Sequence, residues 1–127
     1  MSPTLIFAAA LGGSIGSAAR YVVGVSAGRL FGATFPWATL IINVAGSVLM
    51  GALAALILTR WDLSQAARIF LTVGVCGGFT TFSTFSLDAY SLIERGHLSS
   101  AVFYMVASAV LSIAALALAM YAVRSMQ

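Results

Sequence analysis

Neutral hydrogen-bond donors recur along the most apolar stretches of this chain. Thr39, Asn43 and Ser47 are spaced every four residues, as are Tyr104, Ser108 and Ser112, so each set shares one face of a helix. A third group, Thr80, Ser83, Thr84 and Ser86, crowds into roughly a turn and a half. Hydroxyls, a phenol and an amide donate hydrogen bonds without carrying charge. A single Ser or Thr in a helix often bonds back to the carbonyl one turn earlier, so no one hydroxyl argues for function. Three stripes on three segments are harder to dismiss. Asn43 is the strongest member, because an amide surrounded by lipid needs several partners. The acids near these stripes are few: Asp88 lies late in the third apolar segment and Glu94 in a connector. Donors without a neighbouring carboxylate suit an anion better than a cation or a proton.

Residues 74–86 add a second kind of chemistry. Gly74, Gly77 and Gly78 open the run, and Phe79, Phe82 and Phe85 alternate with hydroxyls after them. An aromatic ring has a positive edge, which touches an anion without trapping it; on spacing alone, such phenylalanines also fit ordinary packing. Loosened helix is tolerated in hydrocarbon only where protein or a hydrated cavity covers it. Unwinding over 77–80 would expose carbonyl oxygens of the kind that coordinate Na⁺ in broken membrane helices. Arg20 is the basic residue deepest within a span. It fits either a snorkelling side chain or a positive potential that draws anions into a vestibule.

The elements that must hold these groups are membrane helices. The chain has 127 residues, of which 61% are hydrophobic and 7% charged, and its mean hydropathy is +1.07. So few charges cannot cover a soluble surface. Apolar runs predict an all-α protein with spans at about 4–27, 37–59, 66–92 and 98–123, each longer than the ~20 residues a crossing needs. The third is expected to be broken in mid-membrane. The connectors, at about 28–36, 60–65 and 93–97, leave room for antiparallel helices and no further domain, so residues 1–127 read as one four-helix transmembrane domain. Trp37 and Trp61 mark opposite ends of the second span. The first stretch lacks a basic lead and runs on too far for a cleaved signal.

Arginine supplies all six basic residues. Arg60, Arg68 and Arg124 share one side of the membrane; Arg29 and Arg95, with Arg20 if it snorkels, share the other. That balance gives almost no positive-inside bias and leaves insertion in both orientations open. Two chains of opposite orientation would form an antiparallel homodimer. Small residues four apart, Gly12 and Gly16, Gly24 and Gly28, Ser47 and Gly51, allow close helix contacts between or within chains.

The chain resembles the small bacterial fluoride channels called Fluc or CrcB proteins nearly end to end. The likeness rests on residues 12–16 (GGSIG) with Ala19, Arg20 and Tyr21, on residues 39–47 (TLIINVAGS), and on residues 77–85 (GGFTTFSTF). It implies a dual-topology antiparallel homodimer with two parallel pores. It also implies passive, fluoride-selective export across the bacterial inner membrane, conferring fluoride resistance. By that likeness Asn43, Phe82 and Phe85 line each pore, and Ser83 and Thr84 lie beside the rings. Tyr104, Ser108 and Ser112 match a polar track, and Arg20 sits near the anion entry. The backbone carbonyls of Gly77 and Thr80 would hold a structural Na⁺ at the dimer axis.

Other classes fit less well. A proton-coupled drug exporter of this size needs a central membrane carboxylate, and the first, second and fourth spans contain none. An enzyme is not expected, because His97 sits at a connector and neither the serines nor Cys76 has a basic partner. Cys76 is the lone cysteine and offers no disulfide within one chain. The scattered arginines do not argue for nucleic acid.

Overall fold

The computed structural model describes residues 2–126 and is all-helical among them. Helix α1 spans Pro3–Phe31, with Pro at its first turn, where a missing N–H costs nothing. It ends at Gly32, whose φ of 75° lies in the left-handed region and whose N–H returns to the Gly28 carbonyl at 3.0 Å. Helix α2 spans Trp37–Thr59. Ser64 then caps α3 (Gln65–Ile69), its hydroxyl accepting from the Ala67 N–H at 3.2 Å. The backbone widens to π winding in π1 (Phe70–Cys76) and returns to α in α4 (Gly77–Phe79). Helix α5 covers Phe82–Glu94, and α6 covers Leu98–Ser125.

Among the described residues, four helical segments are long and apolar enough to cross a membrane: α1, α2, the composite run Gln65–Glu94 and α6. Even the shortest, 23 residues, reaches roughly 35 Å against a hydrocarbon core of about 30 Å. Large apolar side chains face outward all round, among them Ile6, Phe7, Leu30, Leu58, Ile113 and Leu118. Such a surface requires a lipid or protein covering. The chain forms a multi-pass membrane protein.

Within the bundle, α2 packs chiefly along α6, and α1 along π1 and α4. The second pairing depends on missing side chains. A Cβ on Gly12 or Gly16 would overlap the carbonyl oxygens of Phe70 or Val75. In lipid no hydrophobic force drives helices together, so close backbone approach supplies the dispersion contacts that hold them.

Within the glycine-rich run, the departure from helix lies later than the glycines suggest. Gly77 and Gly78 remain helical, whereas Thr80 (φ −77°, ψ 160°) and Thr81 (φ −152°, ψ 120°) are extended. The cause is competition for hydrogen bonds. Threonine side chains offer the backbone alternatives to the helical ladder, and here a neighbouring helix offers one more.

Candidate functional site

That neighbour is α2. The Thr81 N–H donates to Asn43 Oδ1 at 2.9 Å, and Asn43 Nδ2 donates to the Thr81 carbonyl at 3.0 Å. The Asn43 amide thus clamps an extended residue as a β partner would, and keeps one N–H beyond the clamp. Thr81 also starts α5, its Oγ1 accepting from the Thr84 N–H at 3.2 Å. In an uninterrupted helix the N–H of Thr81 would reach the Gly77 carbonyl, and that of Thr84 the Thr80 carbonyl. Both donors are diverted. The carbonyls of Gly77 and Thr80 thus lose their helical partners, as do those of Gly78, which accepts from Ser17 Oγ at 3.4 Å, and Phe79. Nearby, the Cys76 carbonyl accepts both the N–H and the Oγ1 of Thr80, at 3.0 and 2.9 Å.

Two cavities flank the junction, and Thr81 lines both. One, of about 390 Å³, is bounded by Asn43, Thr80, Phe82, Phe85, Ser108 and Ser112. The hydroxyls of Ser108 and Ser112 are buried and have no hydrogen-bond partner among the described residues. No acidic side chain among the described residues lines this space. The other cavity is lined by Arg20, Ser17, Tyr21, Thr39, Ser83 and Thr84, again without an acid. The expected site residues thus divide: Asn43, the two phenylalanines and the α6 serines on one side, Arg20, Ser83 and Thr84 on the other.

Tyr104 joins neither lining. It is fully buried in the α2–α5–α6 core, and its hydroxyl donates to Asp88 Oδ2 at 3.3 Å, the same oxygen that accepts from Thr39 Oγ1 at 2.6 Å. Its ring continues a column of aromatics. Phe82 and Phe85 have centroids 5.3 Å apart, Phe85 and Tyr104 5.2 Å, and Tyr104 and Phe35 5.6 Å with ring planes 88° apart. Ser47 takes the ordinary course for a helical serine and bonds back to the Asn43 carbonyl at 2.8 Å.

Among the described residues, hydroxyl-bearing, amide and aromatic side chains line the two open cavities, and no carboxylate does. Over residues 7–120 the sequence matches the family described as CrcB-like protein, Camphor Resistance (CrcB). The chain belongs to the CrcB family. Its CrcB relatives include the fluoride-specific ion channel FluC 1 of Nitrobacter hamburgensis, 60% identical over 116 residues, which cover 91% of this chain and 92% of that protein. The fluoride-specific ion channel FluC of Nitrobacter winogradskyi is equally similar over the same shares. That of Agrobacterium fabrum is 57% identical over 106 residues, covering 84% and 85% of the two chains.

One residue of this CrcB site, and one packed behind it, escape a reading by stripes. Thr81 is one; its place before Phe82-Ser83-Thr84 carries an N-cap signal, but Asn43, which makes it a junction, lies 38 residues away. Phe35 is the other. It belongs to a connector, yet it packs into the core beside Tyr104.

Proposed function

We propose that this protein is a fluoride-selective ion channel that lets fluoride leave the cytoplasm passively, and that it acts by conduction rather than by catalysis. The observation that carries this reading is the acid-free cavity at Thr81, whose lining joins two phenylalanines to two serines without hydrogen-bond partners among the described residues, in a chain whose relatives over more than four-fifths of its length are fluoride-specific channels.

Fluoride is small and strongly hydrated, so a pathway must replace its water with close donors. The hydroxyls of Ser108 and Ser112 and the free N–H of Asn43 can do so on one side of Thr81. On the other, Ser83 and Thr84 stand with Arg20, whose charge raises the local anion concentration. The edges of Phe82 and Phe85 interact more weakly, and conduction needs sites that release as well as bind. Tyr104, buried behind the cavity wall, serves the pathway through its ring contact with Phe85 at 5.2 Å. The cavity at Thr81 is open to the surface of the single chain, so one chain alone does not make a narrow pore.

The second wall, in our reading, is another copy of the chain. Phe82 is 79% exposed in the single chain and borders the open cavity at Thr81, where a second subunit would complete the wall. An antiparallel, dual-topology homodimer would place two such pathways side by side in the bacterial inner membrane, each broken-helix junction lying at mid-membrane within a single four-helix domain. The oxygens of Gly77 and Thr80 suit a hard cation such as Na⁺, since both are carbonyls deprived of their helical N–H donors. A bound Na⁺ would supply fixed positive charge and cross-link the two chains.

Reconstitution into liposomes tests the proposal. Fluoride efflux that exceeds chloride efflux and needs no proton gradient is expected. Absence of fluoride-specific efflux from correctly inserted protein refutes it.

A further inference from the structure

We infer that Phe35, in the connector between α1 and α2, is a positioning residue of the ion pathway, acting through Tyr104. The inference rests on the reading of Phe85, the ring that Tyr104 packs against at 5.2 Å, as a wall of the fluoride pathway. What orients the Tyr104 ring is decided by two distances. Its hydroxyl lies 3.3 Å from Asp88 Oδ2, well beyond the ~2.7 Å usual for O–H···O contacts. Thr39 holds the same oxygen at 2.6 Å and is the stronger partner. The phenol is therefore loosely tethered, and packing must set the plane of the ring. Phe85 bounds it on one side at 5.2 Å, and Phe35 meets it perpendicularly at 5.6 Å.

Phe35 is itself held firmly. Its carbonyl accepts from the Trp37 N–H at 2.8 Å, across Pro36 with φ −78° and ψ 58°. Those angles are an inverse γ-turn, and proline fixes the first of them. The Phe35 ring also abuts Trp37 at 4.7 Å and Phe103 at 6.0 Å. A rigid turn thus drives one ring into the core against the last member of the Phe82–Phe85–Tyr104 column. A residue with only a filling role would need the right volume. A residue that orients Tyr104 needs an aromatic ring, because perpendicular ring contacts add about 0.5–1.5 kcal/mol beyond burial, equivalent to roughly 2- to 12-fold in rate.

The test compares Phe35→Leu, Phe35→Tyr, Tyr104→Leu and the double variant Phe35→Leu/Tyr104→Leu by fluoride efflux from liposomes. Phe35→Leu is expected to slow efflux about 2- to 12-fold, while Phe35→Tyr stays near the wild-type rate. In the Tyr104→Leu background, Phe35→Leu should add no further loss. Should Phe35→Leu fail to reconstitute, Phe35→Met replaces it in both arms. Equal efflux from the Leu and Tyr variants, or losses that multiply in the double variant, overturns the inference. Wild-type efflux from Phe35→Leu with slowed Tyr104→Leu overturns it alone. Wild-type efflux from Tyr104→Leu removes Tyr104 from the pathway as well.

Discussion

Asn43 on α2 and Thr81 between α4 and α5 hold each other by two reciprocal hydrogen bonds, 2.9 and 3.0 Å long. The clamp satisfies both backbone groups of a buried, extended residue. In hydrocarbon nothing else would do so.

Asn43→Ala removes both bonds and leaves a buried N–H and carbonyl unpaired. Each orphaned group costs about 1–3 kcal/mol, so thermal unfolding in detergent should shift clearly downward and efflux should fall. Asn43→Asp can still accept from Thr81 but cannot donate, and it places a negative charge on the cavity wall. We expect it to conduct less than Asn43→Ala despite better retained stability. The reverse order would remove the electrostatic argument.

Phe82→Ile and Phe85→Ile keep apolar bulk while deleting the ring edge. Fluoride efflux should fall by about 2- to 12-fold in each, with the protein still folded by circular dichroism. Efflux at the wild-type rate in both variants would remove the rings from the pathway.

Ser108 and Ser112 make opposite predictions for stability and conduction. A buried hydroxyl with no partner is a burden to the fold, so Ser→Ala at either position should leave the melting temperature unchanged or raise it. Loss of a donor should nevertheless slow efflux. Variants that melt lower and conduct normally would mark these hydroxyls as structural.

Gly16→Ala would drive a methyl group into the Val75 carbonyl. Overpacking of this kind costs about 1–3 kcal/mol, so the unfolding midpoint should drop. Gly13→Ala, on the same helix with open space around its Cβ position, should stay near wild type. Equal melting of the two variants would show that α1 yields without cost.

The spans were legible because hydropathy alone dictates them, and the donor stripes because a four-residue spacing survives folding as a shared face. Other features depend on partners distant in sequence. Glycine marks where a helix can loosen, but the extended residues are Thr80 and Thr81, since Asn43 and the Thr81 side chain compete for the backbone there. Asp88 had no evident partner in its own segment; it gains Thr39 and Tyr104 only through packing. The π winding of π1 likewise has no local signature. It accompanies the close seat of Phe70 and Val75 on α1, a relation between segments more than fifty residues apart.

Thr81 is the lining residue that the two cavities share, so the two spaces come together there. Water filling each of them would carry bulk electrical potential deep into the bilayer from both faces. The membrane voltage, about 2.3 kcal/mol per unit charge for every 100 mV, would then drop mostly across the Asn43–Thr81 contact instead of the full hydrocarbon thickness. A fluoride ion would feel nearly the whole field in one short hop, and substitutions at this junction should alter the shape of the current–voltage curve more than those at either mouth.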